Sequence, residues 1–282
     1  MASVNEQPTK SARRWLRYSL RSLMLLVVAI AVPMAWKVNR ARNQRVVVAE
    51  LQKMGAQIIY DYEIVNGIHD HNLPPPGSKW LIELFGKEYF VEVYSLWVGG
   101  RLVTDETLAT IARLPEIKGV TISSAPKATD GGLAHFAGMH NLEGLTLFSE
   151  QMTGSGLEHL TGLKRLKKLW ASGWITDASL EHVSKLERLE FLNIDGVAQI
   201  TDKGLAPIAK LTNLRDLRLG SDVQRDYMTI ADEGLVNLYG LKNLGSLNLS
   251  TSEVTQAGID NLKKVLPNCR IKWNPKDPSD KR

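Results

Sequence analysis

The sequence is poor in cysteine and lacks the short motifs that mark common catalytic sites. Cys269 is the only cysteine in 282 residues, which excludes an internal disulfide and a cysteine-rich zinc site, so we expect a buried structural thiol. The sequence contains no GxSxG motif, no P-loop and no HExxH motif. It therefore predicts a protein that is not an enzyme and needs no cofactor.

A basic surface for nucleic acid is also missing, although the formal net charge is +5. Residues 1–45 contain nine Lys or Arg and one acidic residue, whereas the rest of the chain has 26 basic and 29 acidic residues. A nucleic-acid-binding domain carries its basic residues on its folded part. We therefore expect no nucleic-acid partner, and the hydrophobic content of 44% indicates a folded chain.

The one long apolar run lies near the N-terminus, where Leu23 to Trp36 carry no charge. A membrane span needs about 20 apolar residues, and residues 20–38 approach that length because flanking arginines can snorkel to the interface. We assign residues 1–19 to a basic tail and 20–38 to a transmembrane anchor. A cleaved signal peptide is the alternative, since Ala29-Ile30-Ala31 has the small-x-small form, but this site lies inside the run and basic residues follow it.

The basic residues on either side of the run barely distinguish the two possible orientations of the anchor, because five precede the run and four follow it. The small excess before the run favours a cytoplasmic N-terminus. We therefore expect a single-pass membrane protein whose C-terminal part lies on the extracytoplasmic side.

Near-copies of one unit fill most of the remaining chain. In one copy Leu180, Val183 and Leu186 recur at a spacing of three, which predicts a short helix, and Leu192 and Ile194 then alternate as in a strand. The Thr-Asp pair that opens most copies suits a helix start, because Thr can cap a free amide and Asp lies at the positive end of the helix dipole. The copies begin at Val103, Ala128, Met152, Ile175, Ile200, Ile230 and Val254, in steps of 25, 24, 23, 25, 30 and 24 residues.

The segments LERLEFLNI, LTNLRDLRL and LKNLGSLNL resemble the strand segment of leucine-rich repeats over residues 103–273. The unit ITDxxLxxLxxLxxLxxLxL is similar to repeats of bacterial leucine-rich-repeat proteins, which often begin with a basic, hydrophobic segment. The resemblance implies an α/β solenoid with a parallel sheet on the concave face and helices on the convex face. In the last copy Cys269 and Ile271 replace the usual leucines. The Asn that usually closes the turn after the strand is absent, and its places hold Ala125, Glu150, Trp174, Val197, Asp222 and Ser252.

The leucine-rich-repeat domain is assigned to residues 101–274 and a polar tail to 275–282. Residues 39–100 do not fit the repeat, and we assign them to a juxtamembrane helix and an N-terminal cap, because a solenoid needs its first repeat covered. Within them we expect a helix over Val47–Met54 ended by Gly55, strands over 56–63 and 89–98, a loop at HNLPPPGS and a helical turn over Trp80–Phe85.

The concave surface is the candidate binding site. Side chains alternate along a strand, so those between the inward leucines face this surface. Aromatic residues with charged neighbours are typical of a patch that binds a partner, although scattered exposed aromatics, or aromatics packed on a loop, are the alternative. The candidates are Phe148, Lys168, Trp170, Phe191, Asn193, Asp216, Arg218 and Asn248. The longest step adds residues 222–229 at one turn, which is either a binding loop or a tolerated bulge.

Two groups of histidines are candidates for metal ligands. His135, His159 and His182 hold equivalent places in successive repeats, but parallel helices do not converge on one ion, so a solvated helix face is expected. The HDH segment at 69–71 offers three possible metal ligands in a loop. A metal-dependent hydrolase that uses this segment is the least favoured of the predicted functions.

We therefore predict a non-enzymatic, membrane-anchored module that binds a protein through its concave surface. A polysaccharide-binding envelope protein is the alternative, in which Trp170 and Phe148 stack on sugar rings while Asn193 and Asn248 bond hydroxyl groups.

Overall fold

The computed structural model describes residues 20–70, 72–173, 175–195, 199–220, 228–249 and 253–273. The basic tail and the polar tail lie outside these ranges. The strands are β1 (Gln57–Tyr60), β2 (Ile64–Val65), β3 (Ile68–His69), β4 (Val93–Gly99), β5 (Gly119–Ser123), β6 (Gly144–Phe148), β7 (Lys168–Ser172), β8 (Phe191–Asp195), β9 (Asp216–Leu219), β10 (Ser246–Leu249) and β11 (Arg270–Trp273). The α-helices are α1 (Leu20–Lys53), α2 (Lys79–Phe85), α3 (Asp105–Ala112), α4 (Asp177–Val183), α5 (Asp202–Ile208), α6 (Asp232–Leu235) and α7 (Gln256–Val265). Short 3-10 helices cover Asp61–Glu63, Lys87–Tyr89, Asp130–Gly138, Ser155–Leu160 and Val236–Leu238.

Nine of the strands form one sheet in which β4 to β11 follow one another in chain order, all parallel. β1 closes the sheet at its N-terminal edge by pairing antiparallel with β4. A helical segment connects each parallel strand to the next, and right-handed crossovers place such segments on one side of the sheet. This confirms the helix-then-strand unit predicted from the apolar spacing.

One core runs between the sheet and the helical layer, from Val47 in α1 to Cys269 before β11. The leucines of the repeat face it, and Leu180, Leu192 and Ile194 are fully buried. Cys269 is buried too, as predicted. Burial, with the carboxylate of Asp216 adding to it, raises the pKa of the Cys269 thiol to about 11, so it stays protonated and unreactive at neutral pH.

The Thr-Asp pairs link neighbouring repeats, a role that the sequence did not reveal. Thr201 caps its own helix as expected, because its Oγ1 accepts from the Lys203 amide at 3.2 Å. Asp177, however, reaches the next repeat: its Oδ1 accepts from the Thr201 amide at 2.8 Å and its Oδ2 accepts from the Thr201 hydroxyl at 2.7 Å. Equivalent bonds join Asp105 to Thr129, Asp130 to Thr153, Asp202 to the amide of Ala231 and Asp232 to Thr255. We call this series the aspartate ladder.

The aspartate ladder explains a glycine two residues after the aspartate position in most copies. A Cβ at Gly204 would overlap the carboxylate of Asp177 in the preceding repeat. One pair of neighbouring copies departs from this pattern in both places. The first copy has Gly154 where the others have the aspartate, and the next copy has Ser179 where the others have the glycine. Ser179 packs against Gly154. The two positions therefore vary together because they share one space.

The turn after the strand is closed without the usual Asn. In one repeat Ser149, the residue before the Asn place at Glu150, bonds the turn: its hydroxyl donates to the carbonyl oxygens of Ala125 at 2.9 Å and Ala128 at 2.8 Å. Of the turn positions named above, Trp174, Val197, Asp222 and Ser252 lie outside the described residues.

Acid should weaken the aspartate ladder at Asp130. Partial burial raises the pKa of this carboxyl, but hydrogen bonds from Thr153, Gly156 and Ser155 outweigh it and lower the pKa below its usual 3.8. A pKa that is lower in the folded state adds stability above the unfolded pKa, and this stability is lost as pH falls through the folded pKa. We expect the stability difference between the wild type and Asp130→Asn to be full near neutral pH and to shrink below about pH 4.

Urea unfolding of both proteins across this pH range measures the difference. A difference that stays constant from neutral to acid pH would show that the charge of Asp130 adds nothing to the bonds.

The N-terminal region contains one helix where the sequence suggested two. The anchor over 20–38 and the helix over Val47–Met54 are parts of α1, which runs unbroken to Lys53. Gly55 follows with a positive φ of 82°, a conformation that glycine adopts without strain, so the chain turns there as predicted. The expected strands and helical turn of the cap are present as β1, β4 and α2, and the unexpected hairpin β2–β3 lies between them.

Candidate functional site

The candidate site is the face of the sheet that points away from the helical segments, which we call the open face. Aromatic rings pack on it in pairs. The rings of Phe148 and Trp170 meet edge to face with centroids 4.9 Å apart, and the Arg218 guanidinium lies over the Phe191 ring, 5.3 Å from its centroid. Arg218 also donates two hydrogen bonds to the Asp216 carboxylate, at 3.0 and 3.1 Å, so its charge is neutralised.

Trp170 has an unsatisfied polar group. Its indole Nε1 is buried and has no hydrogen-bond partner among the described residues. Leaving a buried donor unpaired costs free energy, on the order of 1–3 kcal/mol.

A groove of about 480 Å³ extends along the open face from β1 to β8. Gly119 and Gly144 lie side by side in its floor. A Cβ at Gly144 would meet nothing within 4 Å, so glycine there leaves the space open, whereas Gly119 lies against the Cβ of Ser95. Trp97 and Trp170 line the groove, and Lys168 contributes a cation. Its walls are therefore mainly apolar, with a single positive side chain.

Trp97 is not among the predicted site residues, because the sequence pattern assigned β4 to the cap. In the structure β4 is a full member of the parallel sheet, and Trp97 pairs in register with Thr121 of β5. Its side chain is exposed. Val93, Leu96 and Val98 have the spacing of the LxxLxL strand pattern, and this was the signal that could have extended the repeat to β4.

The predicted site residues lie on β6 to β10, on the open face, but one of them is not accessible. Lys168 and Arg218 are exposed, and Phe148, Trp170, Phe191, Asp216 and Asn248 are half-buried. Asn193 is only 5% exposed, because it is shorter than its register neighbours, Trp170 and Arg218. Asn193 is therefore largely covered by its neighbours in this structure, and its contact with a partner stays a prediction.

The histidines do not assemble a metal site in the part of the chain that the structure describes, where no three His, Cys, Asp or Glu side chains are grouped suitably. His69 Nε2 lies 3.6 Å from Glu63 Oε2, across the β2–β3 hairpin. His71 is outside the described residues. The Nδ1 of His182 is buried without a partner in the described chain.

The long insertion is described only at its end. Residues 221–227 lie outside the described ranges, Met228 is buried in the core, and Thr229 forms a bridge with Thr201. The two proposals for this segment, a binding loop or a tolerated bulge, remain as stated.

No protein-family model and no curated protein sequence matches the chain. Among solved structures it is similar to internalin C2 of Listeria monocytogenes, with 21% identity, 64% of this chain and 81% of that chain covered, and a TM-score of 0.45. It is also similar to an internalin F of Listeria monocytogenes (20% identity, 60% and 51% covered, TM-score 0.46). A third neighbour is a leucine-rich-repeat protein of Leptospira interrogans (20% identity, 58% and 39% covered, TM-score 0.42). The chain thus spans about half of the second neighbour and less of the third.

The class of fold follows from the chain's own geometry. Parallel strands in chain order, a short helix before each strand and a repeat of about 24 residues with an LxxLxL strand define a leucine-rich-repeat solenoid. The protein has this α/β fold, with an antiparallel strand closing its N-terminal edge and a long apolar helix before it.

That helix is long and apolar enough to cross a membrane, from Ser22 to Lys53, and its apolar window is not buried by the rest of the chain. A signal sequence near the N-terminus can have the same length and apolar composition.

Proposed function

We propose that this protein is a single-pass membrane-anchored module that binds another protein through the open face of its sheet. In a solenoid of this class the open face is concave, and the exposed groove between Trp97 and Trp170 is the observation that carries the proposal. Such a groove offers apolar area to a partner, with one cation to orient it. An open groove of this kind suits binding better than catalysis, which usually takes place in enclosed pockets.

The membrane anchor is supported by the continuity of α1. The Ala29-Ile30-Ala31 segment lies within the helix and not in an extended stretch, and apolar residues continue after it to Trp36. The C-terminal third of the same helix packs against the cap, where Val47 and Leu51 are fully buried. The helix therefore serves the folded domain as well as the membrane. The basic residues on either side favour a cytoplasmic N-terminus, which places the repeats on the extracytoplasmic side.

Affinity capture tests the binding proposal. Full-length protein in detergent is used as bait for native membranes and cell-wall extract, next to bait carrying Trp170→Ala and Phe191→Ala. Loss of a central aromatic anchor costs about 2 kcal/mol or more, or a roughly 30-fold weaker affinity. We therefore expect one protein to be enriched by the wild type and lost with the double variant.

The matched control is Val236→Ala, an exposed residue on the helical side, which should capture as the wild type does. Equal capture by all three baits would refute a role for the open face. Protease-resistant, carbohydrate-containing material that depends on Trp170 would favour the polysaccharide alternative instead. Circular dichroism of each bait verifies that it is folded.

A further inference from the structure

The cap is fixed rigidly to α1, without a linker between the apolar run and the folded domain. Gln44, in the middle of the second half of α1, is buried and donates from Nε2 to the Val91 carbonyl at 2.9 Å. Arg40 forms an ion pair with Glu92 at 2.8 Å. These bonds set the height of the cap along the helix.

The cap contacts α1 close to the end of the apolar run. The Lys37 ammonium, one residue after the run, lies 4.8 Å from the centre of the Tyr89 ring, and the Arg45 guanidinium donates to the Phe85 carbonyl at 3.0 Å. At 1.5 Å per residue, positions 37 and 45 are about 12 Å apart along the helix. The polar layer of a bilayer is about 5–8 Å deep on each side. The Phe85 ring also stacks on the Tyr89 ring, with centroids 5.1 Å apart, so the C-terminal end of α2 is held beside α1 between the levels of positions 37 and 45, close to this layer.

The short helix α2 has an apolar side that nothing in the described chain covers. Trp80 is 63% exposed and Leu84 is 67% exposed, and at a spacing of four they lie on one face of the helix. Leu81, Ile82 and Phe85 are half-buried on the other side. Lys79 and Glu83 flank the face, and both are exposed. Short helices with Trp and Leu on one face and lysine nearby are typical of segments that lie in the membrane interface.

We propose that Trp80 and Leu84 of α2 dock into the lipid headgroup layer next to α1. This contact, which rests on the proposed membrane anchor, is a second point of attachment to the bilayer. Two points of attachment, one of them off the helix axis, fix the tilt and rotation of the solenoid above the membrane. The open face would then be presented at a constant angle to its partner. The occupant is lipid and not a second protein, because the end of α2 that carries Leu84 is held beside α1, close to the end of the apolar run.

Site-directed spin labelling of the full chain in liposomes tests this contact. A nitroxide is attached at Trp80→Cys or Leu84→Cys, and its collisions with oxygen, which concentrates in lipid, are compared with those of a water-soluble nickel chelate. Cys269 is buried and stays in place, and unsubstituted protein serves as the labelling blank. We expect the oxygen-to-nickel ratio at both sites to be several-fold higher than at an aqueous site.

Leu102→Cys is the matched aqueous control, since Leu102 is 68% exposed. It lies just before α3, whose Thr107 hydroxyl is 3.6 Å from the sulfur of Met54, and position 54 is about 25 Å along the helix from position 37. Val28→Cys, in the apolar run, is the lipid control.

The outcomes separate this inference from the anchor. A high ratio at Val28 with ratios at Trp80 and Leu84 equal to that at Leu102 would overturn the lipid contact and leave the anchor standing. A low ratio at Val28 would overturn both. A label at Leu84 that is shielded from oxygen and nickel alike would mean that a protein covers the face, which would also overturn the proposal.

Discussion

Gly204→Ala should destabilise the repeat domain by about 1–3 kcal/mol, the usual cost of inserting a methyl group where there is no room. The new Cβ would overlap the Asp177 carboxylate of the preceding repeat. That carboxylate cannot move freely, because it accepts two hydrogen bonds from Thr201. The expected loss arises from geometry across two repeats, not from helix propensity, since alanine is a better helix former than glycine.

A double-mutant cycle separates these causes. Asp177→Ala alone should cost about 1.5–3 kcal/mol, since it removes an ionised acceptor from a backbone amide and a hydroxyl. With the carboxylate gone, Gly204→Ala has room, so the double variant should be clearly more stable than the sum of the two losses predicts. The pair Gly154 and Ser179 suggests the same compensation within the natural chain.

Urea unfolding monitored by circular dichroism measures all four proteins. The matched control is Gly240→Ala, whose added Cβ would meet nothing within 4 Å, and it should leave the free energy of unfolding nearly unchanged. Strictly additive losses in the cycle would contradict the aspartate ladder as the reason for the glycine.

Two lysines in the apolar run should release the protein from the membrane. Each lysine near the centre of a span costs about 2.5–3.5 kcal/mol, so Val28→Lys with Val32→Lys should oppose insertion by roughly 5–7 kcal/mol. Both side chains are exposed in the folded chain, so the repeat domain keeps its core. We expect the wild type to remain in the pellet after carbonate extraction and the double variant to move to the soluble fraction.

Val28→Leu with Val32→Leu keeps the run apolar and should stay in the pellet. If the lysine variant also stays there, α1 is not what holds the protein to the membrane. Mass spectrometry of the mature wild type addresses the alternative, because a cleaved signal peptide would remove the residues up to about Ala31.

The sequence by itself determined the fold class and most of the elements. Its spacing of leucines placed the helix of α4 and the strand β8, and its single cysteine was correctly assigned to the core. These inferences succeed because each depends on residues within one repeat, where periodicity reports directly on which side faces the core. The long apolar helix was equally visible as a local run.

Only the tertiary structure decided which residues of different repeats share space. Asp177 bonds to Thr201 and excludes a side chain at Gly204, and no pattern within one unit reveals a contact made with the next. Asn193 is buried because of its neighbours on adjacent strands, and Trp97 reaches the groove because β4 joins the sheet. The fusion of anchor and cap into α1 was hidden for a related reason: charged residues between two apolar segments read as a boundary, whereas in the structure Arg40 and Gln44 face the cap and bond to it. Local periodicity fixes the elements, and packing between elements fixes the surface that a partner meets.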